Sequence, residues 1–254
     1  RGDDRCRRPR PDPRTGGVNF GGTATVTQAS YDAGLRSYML PVYNYMASGV
    51  LLTGIVAMLF AGSGAVSVLF NEMGRPSLLG WIIMFAPLGF VMTLSFGINR
   101  LSTAAAQGIY WAYAAVMGLS LSTIFLVYTG TSIAQTFFAT AAAFAGLSLV
   151  GYTTKKDLSG FGTFLIMGLV GLIVASLINI FLKSSVMDLA ISAIGVLIFA
   201  GLTAYDTQKI KNMYSYVAGT EMVGKSVVMG ALSLYLDFIN LFLMLLRFMG
   251  NNRN

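Results

Sequence analysis

The last apolar segment of the chain, "SVVMGALSLYLDFINLFLMLLRF" (226–248), carries a single acid near its middle, Asp237. An uncharged run of about 20 residues is long enough to cross the roughly 30 Å hydrocarbon core of a bilayer as a helix. Similar apolar runs precede it at 43–62, 77–98, 106–128, 131–152, 160–182 and 186–205. The sequence therefore predicts an all-α integral membrane protein, with seven transmembrane helices in one domain over 43–250.

Composition supports this fold class and excludes several others. Only 11% of the residues are charged and 55% are hydrophobic, whereas a soluble domain has about 25% charged residues. The long uncharged runs also exclude a transmembrane barrel, whose strands need about ten alternating residues. With no histidine and one cysteine, Cys6, histidine-based metal sites, catalytic triads and an intrachain disulfide are excluded.

The formal charge of +7 indicates a bilayer partner and no nucleic-acid partner, because the basic residues lie in the N-terminal segment and between the apolar runs. Residues 1–42 are predicted to be a polar, partly disordered tail with a short interfacial helix from about Ser30. No cleaved signal peptide is expected. With a cytoplasmic N-terminus, 13 basic residues lie inside and four outside, so the positive-inside rule predicts that orientation.

The lone acid of the last run needs a physical explanation. A carboxylate in the middle of a spanning helix costs roughly 2.5–3.5 kcal/mol on insertion scales. Asp237 should therefore face the bundle interior, and be protonated, paired or bound to a cation. Asn240 lies on the same helical face and can hydrogen-bond beside it. The simpler alternative is a neutral Asp–Asn pair that only joins helices.

A second acid, Asp206, ends the sixth run in "FAGLTAYDTQKIKNMY" (199–214). Alone it is an interfacial acid with a weak surface partner in Lys209. If it lies at the depth of Asp237, the two carboxylates can share a proton, or offer oxygens to a divalent cation such as Ca²⁺. Such a meeting requires the last helix to begin late, near 229–232, or the helices to tilt. Arg100 can latch Asp206 as a salt bridge, or it is a loop arginine that sets topology.

Four stretches in order, "YDAGLRSYMLPVYNYMASGVLLTG" (31–54), "KKDLS" (155–159), "AYDTQKIK" (204–211) and "SLYLDFINLFLMLLRFMG" (233–250), resemble the Bax inhibitor-1 (transmembrane Bax inhibitor motif) family, in its bacterial form. The resemblance covers about residues 30–250. It implies six helices around a buried seventh, and a bacterial inner (plasma) membrane location.

The same resemblance implies a calcium leak in which Asp206 and Asp237 act as the proton switch. Both match the family motif and are the candidate Ca²⁺ ligands, with Ca²⁺ as the transported or bound ion and no other cofactor. Arg100 is similar to a family position that latches one aspartate. The stretch between the two aspartates is longer than in compact bacterial members, so details of gating by this loop are not carried over from the family to this chain.

Three functions remain open from the sequence. The first is a pH-sensitive calcium (cation) leak gated by the aspartate pair. The second is a membrane interaction protein that regulates a membrane protease or a stress response through a protein partner. The third is an intramembrane aspartyl protease, which needs Gly-x-Gly-Asp where this chain has Leu-Tyr-Leu before Asp237. We therefore expect a protein that is not an enzyme.

Overall fold

The computed structural model describes residues 20–251 and 253. Seven long helices make up the fold, and each is long and apolar enough to cross a membrane, which confirms the predicted fold class. Within the described part of the chain, extended pairing is limited to an isolated bridge between Phe70 and Pro76. The helices are α1 (Phe20–Gly62), α2 (Leu78–Gly97), α3 (Thr103–Leu121), α4 (Gly130–Thr153), α5 (Ser159–Leu182), α6 (Ser185–Val217) and α7 (Met222–Met249).

Four of these helices begin at a hydroxyl side chain that caps the first turn. The side-chain oxygens of Ser77, Ser102, Thr129 and Ser184 each accept a hydrogen bond from the backbone N–H three residues on, at 3.1–3.3 Å. Capping satisfies a backbone donor that has no partner within the helix. The starts of α2, α3, α4 and α6 are thus set by local sequence. The same caps fix where the short connections before these helices end.

Helix α7 lies at the centre of the bundle. Buried residues make up 67% of its most apolar stretch, against 11–39% in the other six helices. It packs against α1, α3, α4 and α6, while α2 packs on α3 and α5 packs on α6. The central seventh helix that the family resemblance implies is confirmed. The outer helices present large apolar side chains such as Phe181 and Leu197 at the surface, as lipid contact requires.

Helix α1 is longer than the first apolar run. It begins at Phe20 and continues unbroken to Gly62, so residues 20–42 of the predicted polar tail are helical, and the predicted start of an interfacial helix near Ser30 lies inside α1. Residues 1–19 of that tail lie outside the described residues. The early part of α1 is held by burial of Leu35, Tyr38 and Val42 in the core.

Helix α6 also extends beyond its apolar run. The run predicts an end at 205, whereas α6 continues to Val217, and only residues 218–221 join it to α7. Lys209 and Lys211 end the hydrophobic pattern but favour helix, and Lys211 Nζ donates a hydrogen bond to the Tyr152 carbonyl at 2.7 Å. The long stretch between the aspartates is therefore mostly helix.

Candidate functional site

Asp237 lies on the central helix and is 5% exposed. Its Oδ2 atom is buried and has no hydrogen-bond partner among the described residues. The charged groups that act electrostatically on this carboxyl are Asp206 and Lys209, both on α6. A buried carboxylate oxygen without a partner is rare in proteins. It leaves a position that a proton, a water molecule or a cation can fill.

The two aspartates reach similar depths because α6 is long. From Asp206 to Val217 the helix rises roughly 16 Å, and from Met222 to Asp237 roughly 22 Å, at 1.5 Å per residue. In an antiparallel hairpin with a short connection, these positions differ by about one helical turn. Helix α7 starts at Met222, earlier than predicted, so a late start of α7 does not account for the similar depth of the two acids. The extension of α6 accounts for it.

The two residues before Asp206 are packed against glycines of neighbouring helices. A Cβ atom added at Gly151 of α4 would overlap the backbone carbonyl of Ala204. One added at Gly162 of α5 would overlap the ring of Tyr205. These close approaches depend on glycine, since small residues let membrane helices come together. They hold the α6 backbone beside Asp206 between α4 and α5.

The residue after Asp206 belongs to a chain of hydroxyl groups. Thr207 Oγ1 lies 3.0 Å from Ser148 Oγ, which lies 2.6 Å from the Tyr43 hydroxyl. Thr207 Oγ1 also donates to the Thr203 carbonyl at 2.8 Å. Each group in the chain has a partner, so burial of these polar atoms is compensated. The chain links α1, α4 and α6 beside the acidic site.

Gln208 joins two of the motifs that the sequence shows separately. Its Nε2 donates to the Lys156 carbonyl at 2.7 Å, and its Oε1 accepts from the Leu158 N–H at 2.8 Å. The stretch "AYDTQKIK" is thereby fixed to the loop "KKDLS" between α4 and α5. Sequence reasoning missed Gln208, because a glutamine at the end of an apolar run has no local signal.

The same loop begins α5. Asp157 Oδ1 accepts hydrogen bonds from the backbone N–H and the hydroxyl of Ser159, at 2.9 and 2.7 Å. Because both bonds favour the charged form, the pKa of Asp157 is lower than its ordinary value. The charged Asp157 side chain therefore stabilises the start of α5, outside the membrane-spanning segments.

The orientation of α7 is set by hydrogen bonds on another face. The Tyr235 hydroxyl lies 2.6 Å from Thr53 Oγ1 of α1, and Thr53 Oγ1 in turn donates a hydrogen bond to the Ala114 carbonyl of α3 at 2.8 Å. Tyr235 and Asp237 lie about 200° apart around the helix axis. Fixing Tyr235 between α1 and α3 therefore turns Asp237 toward the opposite side.

The predicted supporting residues lie as follows. Asn240 Nδ2 donates to the Leu236 carbonyl at 2.8 Å, and Lys209 is exposed with Nζ 5.9 Å from the centroid of the Tyr205 ring. Arg100 is exposed in the turn after α2. Within the described residues, no ion pair joins Arg100 or Lys209 to either aspartate. Their supporting roles, like that of Asn240, stay predictions.

Seven helices able to span a membrane, one of them central and carrying the buried Asp237, define this molecule as a polytopic membrane protein. A family model described as "Inhibitor of apoptosis-promoting Bax1" matches residues 35–254. The chain belongs to the Bax inhibitor-1 family, as its motifs predict.

Curated relatives align over nearly their whole length. An uncharacterized protein of Rickettsia prowazekii is 50% identical over 233 residues, covering 91% of this chain and 97% of the relative. The inner membrane protein YbhL of Escherichia coli K12 is 51% identical over 224 residues, covering 87% and 94%. An uncharacterized protein of Caulobacter vibrioides is 48% identical over 231 residues, covering 88% and 92%.

Proposed function

We propose that this protein is a pH-sensitive calcium (cation) leak channel gated by Asp206 and Asp237. The observation that carries the proposal is the buried Oδ2 atom of Asp237, which has no hydrogen-bond partner among the described residues. It lies on the central helix, within electrostatic reach of Asp206 on the adjacent helix. A structural acid would be expected to have its oxygens satisfied by neighbouring donors.

Proton sensitivity follows from the chemistry of two nearby carboxyl groups. Two carboxylates in a poorly solvated site cannot both ionise cheaply, so such a pair titrates as a unit and holds one proton over part of the pH range. A shared proton would draw α6 and α7 together and close the route by which ions cross the protein. Loss of that proton leaves two negative charges that repel each other and widen the spacing of the two helices.

The two carboxylates suit Ca²⁺ as an ion that binds briefly during transport. Ca²⁺ takes six to eight oxygen ligands, and the site offers two carboxylates, Asp206 and Asp237. Among the described residues, no group of three or more His, Cys, Asp or Glu side chains could hold a metal. Water and backbone carbonyls would complete the shell. Conduction requires binding that is weak enough to release the ion, which a two-carboxylate site provides.

The proposed location is the bacterial inner membrane, with the N-terminus in the cytoplasm. The described relative YbhL is an inner membrane protein, and the excess of basic residues on the N-terminal side favours this orientation. The α6–α7 connection, residues 218–221, would then face the cytoplasm. Asp206 would be the acid nearer to the cytoplasmic end of the pair.

Ca²⁺ flux into proteoliposomes, measured with an enclosed fluorescent indicator over a series of pH values, tests the proposal. We expect Asp206→Asn and Asp237→Asn each to remove the pH dependence of the flux, because a neutral amide cannot share or lose the proton. Asp188→Asn is the matched control, since Asp188 is a half-exposed acid at the start of α6, where it pairs with Arg247 at 3.6 Å. Unchanged flux and pH profile in both site variants would overturn the proposal.

Two other functions give different outcomes. A regulatory role for the protein predicts that a stable membrane partner co-purifies and that the double Asp→Asn variant retains its biological effect. A protease role requires substrate backbone to approach Asp237 closely. Leu234 and Leu236 stand at the two glycine positions of that motif, Leu234 is fully buried, and their side chains fill the space that glycines would leave open. We therefore favour the leak.

A further inference from the structure

A groove lies between α1 and α4, along the middle of α1. The two helices lie on either side of α7 without packing closely against each other. The groove encloses about 480 Å³. We call it the α1–α4 groove. Its lining residues include Arg36 and Tyr152, which we take as its mouth, Ala47 and Ala145 on its walls, and the hydrogen-bonded pair Tyr43 and Ser148 on its floor.

The mouth of the α1–α4 groove carries positive charge on both edges. Arg36 is exposed on the α1 edge. On the α4 edge, Lys211 reaches from α6, with Nζ 2.7 Å from the Tyr152 carbonyl and 5.1 Å from the centroid of the Tyr152 ring. Asp32 lies one turn before Arg36 on α1 and is the acid on that edge. With Arg36 and Lys211 on its two edges, the mouth can bind an anionic group.

The rest of the α1–α4 groove is apolar and one leaflet deep. From Arg36 to Ala47 helix α1 rises roughly 16 Å, about half of the ~30 Å hydrocarbon core. On the floor, the Tyr43 hydroxyl and Ser148 Oγ satisfy each other at 2.6 Å, so an apolar chain can lie over them without leaving polar atoms unpaired. Ala47 and Ala145 are small and exposed, which leaves room for the chain.

We propose that the α1–α4 groove binds one anionic phospholipid of the surrounding bilayer. The headgroup phosphate lies between Arg36 and Lys211, and one acyl chain lies between Ala47 and Ala145. Charge at the headgroup level and apolar walls along a single leaflet match the two parts of such a lipid. The site does not depend on the proposed calcium leak.

The bound lipid would lie close to the segment that holds Asp206. Ser148 on the floor of the α1–α4 groove hydrogen-bonds to Thr207, at 3.0 Å, and Lys211 belongs to the same helix as Asp206. A lipid in the groove would therefore contact α4 near Ser148 and, through its headgroup, Lys211 of α6. Lipid composition would then influence the position of α6.

Native mass spectrometry of the full-length protein in detergent tests this site, with phosphatidylglycerol and phosphatidylcholine titrated separately. We expect one phosphatidylglycerol to bind in preference to phosphatidylcholine. The double variant Arg36→Gln/Lys211→Gln should lose this preference, by about fivefold in affinity for each cation removed. Lys155→Gln is the matched control, because Lys155 is an exposed cation in the loop that follows α4, and it should bind like the wild type.

A second variant tests the acyl-chain part of the α1–α4 groove. Ala145→Trp fills the groove from an exposed position and should weaken binding of both lipids, while thermal melting confirms that it remains folded. Arg36→Lys keeps the charge and should keep the preference. Equal retention of the two lipids by the wild type, or loss of preference in Lys155→Gln as large as in the double variant, would overturn the proposal. If Ala145→Trp is unfolded, the charge variants alone decide the outcome.

Discussion

Replacing Gln208 by leucine should lower the thermal stability of the protein by a defined amount. The side chain is 7% exposed and makes two hydrogen bonds to the loop between α4 and α5, to the Lys156 carbonyl and from the Leu158 N–H. Leucine is close in size and favours helix equally well. The main change is therefore the loss of both bonds, beside the segment that holds Asp206.

The magnitude follows from those two bonds. A hydrogen bond contributes about 1 kcal/mol net, and a buried group left unsatisfied costs about 1–3 kcal/mol. Lys156 and the loop around it are exposed, so water can reach the released backbone groups and the lower end applies. We expect a loss of about 2 kcal/mol, which lowers Tm by roughly 4–8 °C in a chain of this size. Thermal melting of the detergent-purified protein, followed by tryptophan fluorescence, measures it.

Two further variants separate the hydrogen bonds from other effects. Lys156→Ala removes an exposed side chain but keeps the carbonyl that Gln208 contacts, so Tm should change by less than about 2 °C. Gln208→Glu can still accept from the Leu158 N–H, but its ionised carboxylate would be largely buried and would face the Lys156 carbonyl oxygen, so Tm should fall at least as far as in Gln208→Leu. Wild-type melting of Gln208→Leu, or an equal decrease in Lys156→Ala, would refute the reasoning.

Two other predictions concern helix packing and the loop. Gly151→Ala should lower Tm because its Cβ would overlap the Ala204 carbonyl, whereas Gly146→Ala meets no atom within 4 Å and should raise Tm slightly; equal effects in paired melting curves would contradict this. In the case of Asp157, the lowered pKa means that the stabilisation is complete above its ordinary value of 3.8 and is lost as the pH falls through the lowered value. The Tm difference between wild type and Asp157→Ala should therefore shrink in strong acid, and a constant difference would count against the Ser159 hydrogen bonds as its cause.

The number of spanning helices follows directly from the sequence. Uncharged runs of about 20 residues must be helical in a bilayer, because no other structure satisfies their backbone groups there. The isolation of Asp237 in its run is also visible in the sequence, and with it the expectation of an inward-facing acid. Four short motifs were sufficient to indicate the family.

The depth of Asp206 relative to Asp237 could be determined only from the tertiary structure. The apolar run ends near residue 205, but α6 continues to Val217 because its backbone hydrogen bonds do not depend on apolar side chains. The rings of Tyr38 and Tyr214 pack with centroids 5.5 Å apart and hold this extension against α1. That packing involves residues far apart in the chain, so local pattern cannot predict it. It places Asp206 well inside a long helix and close in depth to Asp237.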